Sequence, residues 1–135
     1  MVTGFPLNRI GELRTHFPSL RAISNHSNGN VASMLSMQFP DKRGCTTEGI
    51  FRIIIKCDDI CNTIPRSWIL NYTDRGEHPH LWKKETIPGT TRQAYWVCDG
   101  TWSGAILPIY NALNPDPVVR LLGYIEHLIS VLNTK

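Results

Sequence analysis

Apolar positions recur along this chain with different periods, and each period predicts a different element. Leu7, Ile10, Leu13 and Phe17 fall near the helical repeat. Pro6 suits a first-turn position and Pro18 closes the stretch, so a short amphipathic helix is predicted from about Leu7 to Phe17, with Arg9, Glu12 and Arg14 on its solvated face. Leu20 to Asn25 and Val31 to Phe39 then flank the turn-rich Asn25 to Asn30, where Asn28-Gly29 tolerates positive φ and predicts a hairpin. After a second turn at Pro40 to Gly44, Ile50 to Ile55 is nearly continuous and β-branched, the pattern of a central strand buried on both faces. A fourth strand, Ser67 to Asn71, follows Pro65.

From Tyr72 to Tyr110 periodicity fades, with Pro79, Pro88 and Pro108 interrupting it, so a long irregular region is predicted there. Loops of that length usually carry function. At the C-terminus Asp116-Pro117 reads as a cap and first-turn proline. Val118, Leu121, Leu122, Ile125, Leu128, Ile129 and Leu132 then hold a helical stripe. The expected fold class is α+β: an N-terminal helix, a four-stranded antiparallel meander, a long active-site loop region and a C-terminal helix packed on the sheet.

With 135 residues the chain is expected to form one domain, residues 1–135, with a core able to fold without metal or disulfide staples. The net charge of +3 is not gathered into any run of like charges longer than two, so no basic stripe for nucleic acid is present. No stretch approaches the ~20 apolar residues that would cross a bilayer, and Met1 to Leu20 lacks a signal-peptide core. A cytoplasmic protein with no membrane attachment is expected. Its four cysteines, Cys45, Cys57, Cys61 and Cys98, would then be reduced.

Cys98 is the candidate nucleophile, because it ends a strand-like run, Tyr95-Trp96-Val97, beyond the histidine pair of His78-Pro79-His80. Cys57, Cys61, His78, His80 and Cys98 lack the paired spacing of a structural zinc site, and Cys57 reads as a small buried hydrophobe. The zinc-deaminase motifs, phosphate-binding glycine loops and the serine-hydrolase elbow are all absent, so no cofactor and no metal are expected. Cys98-Asp99-Gly100 looks like a turn, where Asp99 would raise the thiol pKa. A modest nucleophile of that kind suits a carrier that receives an already activated acyl group.

In this order the landmarks resemble the ubiquitin-conjugating (UBC-fold) enzyme family. Glu48-Gly49-Ile50-Phe51 is similar to the Gly-Gly-x-Phe that opens the family's third strand, and Thr63-Ile64-Pro65-Arg66-Ser67-Trp68 stands at its proline segment. His78-Pro79-His80 stands for His-Pro-Asn, Cys98 for the acceptor cysteine and Trp102-Ser103 for the Trp-Ser pair. The replacement of the motif asparagine by His80, the longer interval to the cysteine and a single long final helix resemble divergent bacterial members found in antiphage operons.

The resemblance implies a stand-alone transferase that carries a protein C-terminus as a thioester on Cys98 and passes it to an amine. In cyclic-oligonucleotide (CBASS) defence systems the partner would be the C-terminus of a cGAS-like nucleotidyltransferase, in conjugation systems a ubiquitin-like protein, with a separate activating enzyme upstream. His80 would stabilise the oxyanion, His78 would support it, and Asp99 would orient or deprotonate the incoming amine. Tyr95 or Trp96 would flank the thioester, Trp68 and Trp82 would pack, and Lys83 to Arg92 would wall the groove for the tail. A UBC-fold adaptor that binds without transferring, or a thiol hydrolase, are the alternatives.

Overall fold

The computed structural model describes residues 4–58, 64–73, 78–81, 83–98 and 116–133. It is α+β, with two antiparallel sheets and a C-terminal helix. The strands in chain order are β1 (Phe5–Pro6), β2 (Arg21–Ala22), β3 (Ser27–Asn28), β4 (Val31–Ala32) and β5 (Met34–Pro40). They continue with β6 (Ile50–Lys56), β7 (Arg66–Ile69), β8 (Lys83–Thr86) and β9 (Gln93–Trp96). One sheet has the order β1-β4-β3, the other β2-β5-β6-β7-β9-β8. A hairpin forms at Asn28-Gly29 as β3 and β4, with Gly29 at a positive φ of 61°, but its first strand is Ser27–Asn28; of the expected Leu20 to Asn25 only Arg21–Ala22 is strand, and it pairs with β5.

Three further expectations are corrected. The main sheet has six described strands, not four, because the stretch expected to be irregular contains the β8–β9 hairpin. Lys83, Lys84 and Thr86 of β8 are exposed, as suits an edge strand whose charges block further pairing, so the hydrophobic alternation that marks an inner strand is missing. The N-terminal helix is shorter: Leu7–Arg9 is a 3₁₀ turn and only Ile10–Arg14 is α-helical. Gly11 weakens the segment, and Thr15 Oγ1 bonds back to the Glu12 carbonyl at 2.6 Å as the chain turns away. Finally, Arg9 is not simply solvated. Its guanidinium forks onto both carboxylate oxygens of Asp116, at 2.7 and 3.1 Å, and also pairs with Glu12. That fork ties the N-terminal segment to the start of the C-terminal helix and holds the Asp116 carboxyl below the usual carboxylate range.

The C-terminal helix, Pro117–Asn133, starts as expected: Asp116 Oδ2 accepts the Val119 N–H at 3.3 Å and Pro117 takes the first turn, where no N–H is needed. Val118, Leu121, Tyr124, Ile125, Leu128 and Leu132 are buried against Leu35, Met37, Phe39, Phe51, Ile53, Ile55 and Ile69. These sheet residues alternate along β5, β6 and β7, so the residues between them face the other way. On that second side Met34, Ile54, Trp68, Ile87, Ala94 and Trp96 form a smaller cluster. Trp68 is fully buried and donates its indole N–H to Glu85 at 3.0 Å, pinning the added hairpin to β7. No helix among the described residues is long and apolar enough to cross a membrane.

A fully buried polar contact joins the helix to the sheet, Tyr124 Oη to Ser67 Oγ at 2.7 Å. Tyr124→Phe is expected to lower the unfolding free energy by about 1–3 kcal/mol, measured by urea titration, because the bond is lost where water cannot replace it. Val119→Ala, on the exposed side of the same helix, should stay within about 0.5 kcal/mol of wild type.

Candidate functional site

Beyond β9 the chain stays docked for two more residues. The Val97 N–H donates to the Ser67 carbonyl at 2.9 Å, and the Cys98 N–H donates to the His80 carbonyl at 2.9 Å. Strand alternation sends Val97 into the cluster under the helix and Cys98, half-buried, against the smaller cluster on the opposite face. His80 returns the contact, since its Nδ1 bonds the Cys98 carbonyl oxygen at 2.5 Å. A carbonyl only accepts, so Nδ1 carries the proton; the Nε2 of a neutral ring is left with its lone pair and has no partner among the described residues.

His78-Pro79-His80-Leu81 is a closed turn, with the Leu81 N–H on the His78 carbonyl at 3.1 Å and Pro79 exposed at the second position. His78 itself is 2% exposed, and both of its ring nitrogens are bonded. Its Nδ1 accepts the His80 N–H at 3.0 Å, so the ring proton sits on Nε2, which donates to the Leu132 carbonyl at 2.6 Å. Leu132 lies in the last turn of the C-terminal helix, where carbonyls have no intrahelical partner, and the imidazole supplies one. The His78 N–H in turn donates to Tyr72 Oη at 2.9 Å. Burial pushes the His78 pKa below its ordinary value, because an imidazolium would have to be desolvated and would lose the Nδ1 acceptor.

The expected site residues thus divide. His78, His80 and Cys98 are brought together by a chain of hydrogen bonds that ends on the C-terminal helix. Asp99, Trp102 and Ser103 lie outside the described residues, as do Cys61 and Trp82. Tyr95 packs its ring edge-on to Tyr72, with centroids 4.8 Å apart, on the helix side of the sheet, away from the Cys98 side chain. Trp96 is buried in the cluster that Cys98 packs against. The loop expected as a wall is β8 and its turn, and Lys84 Nζ lies 5.8 Å from the Tyr95 ring centroid. Tyr72 and the Leu132 carbonyl belong to the site's support and were not anticipated. A tyrosine six residues before a histidine has no motif value, and a backbone carbonyl leaves no trace in sequence.

The remaining described cysteines are unlike Cys98. Cys57 is fully buried, bonds the Ala32 carbonyl through sulfur at 3.2 Å, and burial pushes its thiol up to about 12. Cys45 is also buried and raised by burial. Among the described residues no three His, Cys, Asp or Glu side chains are grouped to hold a metal ion. No protein-family model, curated protein or solved structure matches the chain.

Two outcomes follow from these environments. In native protein treated with iodoacetamide, peptide mapping should find Cys98 alkylated while Cys45 and Cys57 are labelled only after denaturation. His78 binds its proton less readily folded than unfolded, so stability should be intact above about pH 6.5, the unfolded value, and fall as pH drops below it toward the lower folded pKa. Urea midpoints measured across that range should show the decline in wild type and lack its His78 component in His78→Gln. An unchanged profile in the variant would show that His78 is not the group responsible.

Proposed function

We propose that this chain is a UBC-fold transferase that carries a protein C-terminus as a thioester on Cys98 and transfers it to an amine. The observation that carries the reading is the pair of hydrogen bonds between His80 and Cys98, which holds the His78-Pro79-His80 motif against a cysteine 18 positions further along the sequence.

In the first step the Cys98 thiolate attacks the activated carbonyl of a protein C-terminus, the C–S bond forms and the activating group leaves. In the second an amine attacks the thioester carbonyl, the C–N bond forms, the C–S bond breaks and the amine gives up a proton. His80 has its Nδ1–H committed to the Cys98 carbonyl, so the neutral ring offers Nε2 as an acceptor for that proton. Acting as oxyanion donor from Nε2 would require the imidazolium. His78 acts through His80: from a buried position it accepts the His80 backbone N–H and so fixes the backbone of the motif. The partners in this reading are the C-terminus of a cGAS-like nucleotidyltransferase in CBASS antiphage defence, or a ubiquitin-like protein, delivered by a separate activating enzyme.

The half-burial of Cys98 against an apolar cluster favours a second reading, a UBC-fold adaptor that binds a ubiquitin-like protein without transferring it. The product separates the two. Recovered with its operon partners and run on non-reducing gels, wild-type protein should carry an adduct that thiols remove, and Cys98→Ser should carry one that they do not. His80→Ala is expected to retain adduct formation but slow discharge to amine by about 10² to 10³, as measured by single-turnover release. A partner that co-purifies while neither form yields an adduct would replace the transferase with the adaptor.

A further inference from the structure

The sheet face opposite the C-terminal helix is only partly covered, and the uncovered part is a two-lobed groove. One lobe, of about 410 Å³, has Ile23, Ile54 and Leu70 on its floor and Arg21, Arg52 and Arg92 around it. The other, of about 200 Å³, shares Ile23, Ile54 and Arg92 and adds the apolar Met34 and Ile87, with His26 at its edge. No Asp or Glu is among the described lining residues of either lobe. Arg52 is held by Glu48, at 2.7 and 2.9 Å. Arg21 and Arg92 are exposed, and their guanidinium groups have no partner among the described residues. Like charges around one concavity repel each other until an anion enters it, so the groove is electrostatically complementary to an acidic ligand.

We infer that this groove binds an extended acidic peptide segment bearing one large apolar side chain. The carboxylates pair with Arg21 and Arg92 in the larger lobe, and the apolar side chain fills the smaller lobe over Met34, Ile54 and Ile87. A guanidinium offers planar, two-pronged donation that matches a carboxylate. Single-stranded nucleic acid is the other polyanion of suitable shape, but it is gripped through stacking on aromatic rings, and no Phe, Tyr or Trp is among the described lining residues of either lobe. The inference concerns the open sheet face and holds whether or not Cys98 forms an adduct.

The test is fluorescence anisotropy of the full chain with a fluorescein-labelled peptide, Glu-Asp-Glu-Leu-Glu-Asp, at low and moderate salt. Binding should weaken as salt rises, by about tenfold or more in Arg21→Glu/Arg92→Glu, and similarly when the peptide's leucine is changed to serine. Both arginines are exposed, so the variant's circular-dichroism melt should match wild type and confirm that lost binding is not lost folding. Equal affinity of variant and wild type, indifference to the leucine, or tighter binding of an equally charged oligothymidylate would each overturn the proposal.

Discussion

The central strand β6 is apolar along one face and buries Ile54 between Arg52 and Lys56 on the other, and the rest of the molecule answers to that constraint. Phe51, Ile53 and Ile55 point one way and Ile54 the other, so two separate covers are required. The C-terminal helix provides most of the first, through a stripe of six buried side chains, with Phe5, Leu13 and Leu20 in the same core. The second cover is smaller: Met34, Trp68, Ile87, Ala94 and Trp96 close over Ile54 but leave the sheet open toward Arg21 and Arg52. A closed side that gives stability and a half-open side available for contact therefore follow from the same strand.

His78 couples the closed side to the candidate site. A buried imidazole is tolerable only when both nitrogens are bonded, and here one bonds the last turn of the C-terminal helix and the other the backbone of His80. Its neutrality and its tautomer are consequences of that geometry. Anything that displaces the end of the helix moves the acceptor of the His78 proton, and with it the turn that presents His80 to Cys98. The Arg9 fork on Asp116 secures the opposite end of the same helix. The positions of both helix termini thus depend on residues distant in sequence, which makes the helix a brace for the site as well as a cover for the core.

Much of this organisation was legible in the chain. The β-branched run at Ile50 to Ile55, the Asn28-Gly29 turn, the Asp116-Pro117 cap and the helical stripe after it are local patterns whose physics operates over a few residues. The β8–β9 hairpin was not legible, because an edge strand such as Lys83–Thr86 is stabilised by its partner's backbone and by Trp68 on Glu85, neither of which appears in its own alternation. Arg9 looked like a surface charge because its partner lies 107 positions away. The grouping of Cys98 with His78-Pro79-His80 was suggested by their order, but Tyr72 and Leu132, which hold the turn, carry no signal of that duty.

By itself the sequence determined the type and approximate place of the main elements, the two-sided burial of β6 and the candidacy of Cys98, since these depend on side-chain chemistry and short-range periodicity. Tertiary structure alone decided that His78 is a neutral strut while His80 touches the cysteine's backbone, although the two are the same residue type two positions apart. It also gathered arginines from three distant segments, Arg21, Arg52 and Arg92, around one groove. A tautomer, a buried acceptor and a shared concavity are properties of groups brought together in space, and strand pairing across the sheet is what brings them together.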